Sequence, residues 1–329
     1  MKAKGLLAGW VLVTVVAMSL ASRGSGQDDD TRRLHIAASA GDLAEVTALL
    51  AKGVPVDGVS QGSTALHRAA AKGHISVVEH LLGKGANPNA KTVGDGVSAI
   101  HLAAQEGQGK VVELFLAKGV DVNTPNCDRP PLNYAALAGK LDIVKLLVAR
   151  KADLKGDDLL GTALHAAAAG GDIPTIEYLL SLGLKLDAGQ FGNTPLARAA
   201  EHGRIEAMKF LMSKGSPADA RAESAPIEGE TPLFRATRGG QMEAMKLLIE
   251  RGADVNARDS DGRTPLFELV TLSSLRPNQK EGMLLLLSHG ASVSFKSTYA
   301  GKTPLDFAVE NKNIQAIEVL KAHALLEKP

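Results

Sequence analysis

The residue types in this 329-residue chain that can carry chemistry are nine histidines, a single cysteine and a few lysines beside glycines. Four of the histidines, His35, His67, His101 and His165, recur at comparable places along the chain. Zinc would require Cys, His or carboxylate company at short range, which the sequence around them does not offer. The run His74-Ile-Ser-Val-Val-Glu-His80 lacks the spacing that places two His and a Glu on one face of a zinc-protease helix. Gly301-Lys302-Thr303 imitates the end of a phosphate-binding loop, but that loop needs a Gly where Lys296 stands. The acidic residues show no paired arrangement beyond that of solvated faces. Cys127 is either a reactive or dimer-forming thiol or an inert one in a loop; nothing near it in sequence would lower its pKa. The expectation is a chain with no cofactor, no metal and no catalytic constellation.

What organises the chain is a block that returns eight times: Thr64-Ala-Leu-His67, Ser98-Ala-Ile-His101, Pro130-Pro-Leu-Asn133, Thr162-Ala-Leu-His165, Thr194-Pro-Leu-Ala197, Thr231-Pro-Leu-Phe234, Thr264-Pro-Leu-Phe267 and Thr303-Pro-Leu-Asp306. Its first positions lie 34, 32, 32, 32, 37, 33 and 39 residues apart, a period that marks a stacked-repeat architecture. Thr can cap a helix start with its side chain, and Pro after it suits the first turn, where a backbone N–H is dispensable. Small pairs such as Ala69-Ala70 and Ala199-Ala200 follow, and Gly73, Gly107, Gly139, Gly171, Gly203 or Gly240 then ends a short first helix. A second helix carries apolar pairs one turn apart, as in Val77-Val78 with Leu81-Leu82 and Ala244-Met245 with Leu248-Ile249. Asn- and Asp-rich turns such as Gly252-Ala-Asp-Val-Asn-Ala257 complete the unit as a finger leading to the next block.

Block, period and finger together resemble the ankyrin repeat family, over residues 31 to about 324. The resemblance implies an all-α solenoid of helix-turn-helix units joined by hairpin-like fingers, with the block histidines tying neighbouring units to loops. Arg32-Arg33 replaces the Thr-Pro entrance in an N-terminal cap unit over 31–62, and Asn311, Lys312, Asn313, Gln315 and Glu318 make the last unit polar. Departures from the pattern are Pro130-Pro131 without the usual preceding Gly, and Lys151 where a terminator Gly belongs. Longer connections at 217–230 and 272–280 are either functional loops or neutral insertions.

Residues 1–21 read as a secretory signal peptide: Lys2 and Lys4 precede an uncharged, Leu/Val/Ala-rich stretch ending in small residues. An uncleaved membrane anchor is the alternative, although the stretch is short for a span. Residues 22–30 read as a flexible linker and 31–329 as the repeat domain. The expected setting is the periplasm or the exterior, in an exported protein of bacterial type. With 37 basic against 36 acidic residues and 3% aromatics, nothing favours nucleic acid as a partner.

The function implied by the resemblance is a non-enzymatic scaffold, monomeric, holding a protein partner on the concave face and fingers. An enzyme or small-ligand receptor sited at 217–230 or 272–280 is the other reading. Aligning the exposed block positions gives two candidate zones: an apolar one of Leu102, Tyr134 and Leu137, and a net positive one of Arg198, Arg235 and Arg238 beside Glu201 and His202. Tyr and Arg are the types that most often dominate interfaces.

Overall fold

The computed structural model describes residues 27–125, 129–154, 162–188, 193–221, 230–271, 278–298 and 301–326. The signal-peptide segment, Cys127, the centre of the 217–230 finger and most of the 272–280 loop lie outside them. Every described regular element is an α-helix, and the chain divides into two units, Met1–Cys127 and Asp128–Pro329.

The first unit holds α1 (27–40), α2 (Leu43–Ala51), α3 (Ala65–Lys72), α4 (Ile75–Gly83), α5 (Ala99–Glu106) and α6 (Gly109–Ala117). The helices after each block, α3 and α5, pack side by side as an inner layer; α2, α4 and α6 form an outer one. Inner helices bury almost everything: α3 encloses Ala65, Leu66, His67, Ala69 and Ala70, whereas α4 buries one face through Val77, Val78 and Leu81. The segment expected as a spacer over 22–30 is partly helical, because α1 already runs through 27–30. No Thr-Pro breaks the helix there. Acidic residues sit favourably in a first turn, and Arg32–Asp29 (2.8 Å) and Arg33–Asp30 (3.1 Å) pair one turn apart.

The second unit repeats the plan. Inner helices α7 (Pro131–Leu137), α9 (Ala163–Gly170), α11 (Pro195–Glu201), α13 (Pro232–Gly239), α15 (Pro265–Thr271) and α17 (Pro304–Glu310) stack in order. Outer helices α8 (Leu141–Ala149), α10 (Ile173–Ser181), α12 (Ile205–Ser213), α14 (Met242–Glu250), α16 (Gln279–Ser288) and α18 (Ile314–Leu326) stack behind them. Leu132, Leu164, Leu196, Leu233 and Leu266, the third residue of five successive blocks, are fully buried. Two glycines set how closely inner helices approach: a Cβ on Gly170 would overlap the Leu137 carbonyl oxygen, and one on Gly239 the Glu201 carbonyl oxygen. Where the terminating glycine is missing, lysine adopts the same left-handed backbone, at Lys151 (φ 63°) and Lys312 (φ 55°), at a cost of about 1 kcal/mol each.

The block threonines cap as their type requires. Thr194 and Thr231 Oγ1 accept from the Ala197 and Phe234 amides. Where the block ends in His, the ring extends the cap to the next finger. His67 Nδ1 accepts from the Thr64 amide (3.3 Å) and lies 2.8 Å from Thr64 Oγ1, leaving its Nε2–H to donate to the Val97 carbonyl at 3.1 Å. His101 reaches Thr124 O (3.1 Å) in the same way, and His165 reaches Ala188 O (2.8 Å) and Asn193 O (2.7 Å). In α1, His35 Nε2 meets Gly58 O at 2.9 Å. The resemblance-based role of these histidines, tying units to loops, is what the geometry displays. The ring must be neutral to accept at Nδ1, and burial pushes His165 down to about 4 against the partial support of the Asn193 and Ala188 carbonyls. His35 and His67 are lowered for the same first reason, burial.

Candidate interaction face

The fifth and eighth block positions stay at least partly exposed on most inner helices, Ala169 and Glu268 being the buried exceptions. On α7 this places Tyr134, partly exposed, and Leu137, 44% exposed, one turn apart. The next inner helix, α9, carries only Ala166 and Ala169 at these positions, and α11 carries Arg198, with His202 following it. Small residues between larger ones leave a depression. It holds about 160 Å³ and is lined by Arg129, Asn133, Tyr134, Leu137, Ala166, Ala169, Arg198 and His202. The groove thus joins Tyr134 and Leu137 to two members of the other sequence zone. Leu102, expected in the same apolar patch, stands on α5 of the first unit, partly exposed.

The zone read as net positive is charge-balanced. Arg198 Nη1 pairs with Glu201 Oε2 at 2.7 Å, and Arg235 Nη1 lies 3.8 Å from the same oxygen. Arg235 Nε is 2.5 Å from Glu230 Oε2, yet its N–H is not aligned on a hydrogen-bond acceptor, so that contact is charge against charge. Arg238 spans two carboxylates: its Nη atoms meet Glu230, and its Nε donates to Glu268 Oε1 at 2.9 Å. Its guanidinium also lies 5.6 Å from the Phe234 ring centre. Burial works against the Arg238 charge, but the Glu268 hydrogen bond and the charges of Glu230 and Glu268 outweigh it and raise its pKa. Three arginines therefore face three glutamates across α11, α13 and α15. The physical reason for the correction is register. Glu230 immediately precedes the block that carries Arg235 and Arg238, and Glu268 is the fifth residue of the next block, which repeat stacking brings to Arg238 from thirty residues away. Reading the residue before each block together with the fifth positions of neighbouring blocks would have found the pairing.

The remaining chemical candidates find ordinary roles. Lys302 Nζ pairs with Glu310 Oε2 at 2.5 Å beside the turn at Gly301 (φ 61°), so the phosphate-loop imitation is a finger ending. Among the described residues no group of three or more His, Cys, Asp or Glu is placed to hold a metal ion, and no helix is long and apolar enough to cross a membrane.

Comparison with known proteins follows the same lines. The family description "Ankyrin repeats (3 copies)" matches residues 14–92, 89–158, 153–223 and 216–297. Among solved structures 562 chains match, including the crystal structure of the human ASB11 ankyrin repeat domain, 28% identical, covering 67% of this chain and 96% of that chain with a TM-score of 0.49. No curated protein matches the chain.

Proposed function

This chain belongs to the ankyrin repeat family, and on that premise we propose that it is a monomeric, non-enzymatic scaffold that grips a protein partner on its inner-helix face. Ankyrin repeats generally mediate protein–protein interaction, and the family is typically without enzymatic activity. The observation that supports the reading is the groove in the second unit. About 160 Å³ suits a single side chain, whereas sites for small organic ligands run to roughly 300–1,000 Å³. Its walls offer one aromatic and one aliphatic residue on one side and an arginine and a histidine on the other, a mixture that anchors a peptide side chain.

The partner is to be identified by affinity capture on the full chain followed by mass spectrometry, and its binding then measured by calorimetry. Tyr134→Ala is expected to weaken that complex by more than about 1 kcal/mol, with little dependence on salt because the contribution is apolar. An unchanged affinity in a variant whose circular dichroism is intact would remove the groove from the interface.

We also propose export to the periplasm or exterior, with residues 1–21 removed. The supporting features are Lys2 and Lys4 before the apolar stretch and the small residues Ser19 and Ala21 near its end. Trp10 is the single tryptophan, so protein purified from its native compartment is expected to show no tryptophan emission. Emission together with an N-terminus at Met1 would make the segment a retained anchor.

A further inference from the structure

Building on the inner-helix face as the binding surface, the geometry points to a second contact region in the first unit. There Arg68, Ile36, Val59 and Val93 together take an extended peptide segment whose carboxylate side chain is flanked by apolar ones.

The three apolar side chains are mostly exposed: Ile36 at 62%, Val59 at 54% and Val93 at 71%. Backbone and side-chain contacts gather them about one finger. His35 Nε2 donates to the Gly58 carbonyl at 2.9 Å, which ties α1 at the residue before Ile36 to the finger at the residue before Val59. Ser60 and Ser63 bridge antiparallel and close the finger at Gln61 and Gly62. The Val93 amide donates to the Gly62 carbonyl at 2.7 Å, so the following finger sets Val93 against the same turn. Arg68, on α3, reaches that turn as well: its Nε donates to Ser63 Oγ at 2.9 Å and its Nη2 to Gln61 Oε1 at 3.2 Å.

Both partners of Arg68 are neutral, and among the described residues it makes no ion pair. Arg198 and Arg235 occupy the same fifth block position in the second unit, and each faces a glutamate. Among the described residues, the fifth-position arginine without a carboxylate partner is therefore Arg68, in the first unit. Apolar residues scattered singly on a surface need no explanation; three around an unbalanced charge present a complement to a carboxylate with apolar neighbours. A guanidinium offers a carboxylate two parallel hydrogen bonds, and complementary charge selects among partners more than it adds bulk affinity. In an extended peptide, residues two apart share a face, so the recognised pattern is apolar-x-acidic-x-apolar.

The test pans a random phage-displayed peptide library on the immobilised full chain. The unaltered protein is expected to enrich Asp or Glu between apolar residues at that spacing, Arg68→Lys to keep the preference, and Arg68→Glu to lose it. For a selected synthetic peptide, changing its acidic residue to the amide is expected to raise Kd about tenfold and less at high salt; this arm leaves the protein untouched, so it does not depend on any variant folding. Absence of enrichment, enrichment without an acidic consensus, or a selection indifferent to Arg68→Glu overturns the inference. Peptides indifferent to Arg68 but lost with Tyr134→Ala would overturn it while leaving the inner-helix reading standing; acid-dependent binding at Arg68 with a Tyr134-independent partner would do the reverse for the second-unit groove.

Discussion

Replacing Arg235 and Arg238 together by glutamate is expected to lower the stability of the second unit by about 5 kcal/mol or more, enough to unfold its centre. Glu268 is almost fully buried at 6% side-chain exposure and Glu230 is 14% exposed. Removing one partner of a buried ion pair costs about 3–5 kcal/mol, because the surviving charge is left desolvated. The reversal would crowd two new carboxylates against Glu201, Glu230 and Glu268. Arg238→Ala alone is expected to cost about 2–3 kcal/mol, since its own side chain keeps 31% exposure and the pair is partly solvated. Lys209 and Lys246 supply the contrast. Their pairs with Glu206 and Glu243 are as short, at 2.8 Å, but lie in solvent, and Lys→Ala at either is expected to change stability by less than about 0.5 kcal/mol. Chemical denaturation of the variants decides the matter. A double reversal with an unshifted midpoint would mean that these arginines are not held by the glutamates and stand open to a partner.

The second large effect is a loss of stability in mild acid. His165 titrates at about 4 when folded because it is buried, against about 6.5 in an unfolded chain. Between these values the unfolded chain binds the extra proton, so stability is complete above about pH 6.5 and falls as the pH drops towards 4. At pH 5 the loss from this residue is about 2 kcal/mol. His35 and His67, also lowered by burial, act in the same direction. Unfolding free energies at pH 8 and pH 5, compared between the unaltered chain and His165→Gln, isolate the contribution: the variant is expected to lose about 2 kcal/mol less over that interval. A folded-state His165 resonance titrating near 6.5 would contradict the assignment.

The helices were legible because most blocks combine a capping Thr or Ser, a Leu and, within ten residues, a terminator Gly, several with Pro in the first turn, all of them local signals. Thr194, Leu196 and Gly203 do what their types suggest. Lys151 and Lys312 were not readable as terminators, since their left-handed backbone is imposed by the stack rather than preferred by lysine. The helical start at residues 27–30 was masked by a polar composition that also suits a linker. In the candidate site, Tyr134 and Leu137 could be placed on an open face from their block positions alone. The charge balance could not, because Glu230 and Glu268 reach Arg238 from eight and thirty residues away. Nor could Val59 and Val93 be recognised as neighbours, because an inter-finger hydrogen bond at Gly62 joins their surroundings.

Gly170 and Gly239 carry a consequence for the spacing of the inner helices. Each stands where one added carbon would collide with the backbone of the preceding inner helix, so Gly-to-Ala there must prise two repeats apart. Gly170 follows Ala166 and Ala169, which line the groove, on the same helix, and meets the backbone of Leu137, which lines it too. Its size therefore governs how closely the helix bearing Tyr134 approaches the helix bearing Ala166 and Ala169, although it contributes no side chain to the groove. The width of the groove is then set in part by a residue that does not line it, and a scan of the lining positions alone would miss the determinant.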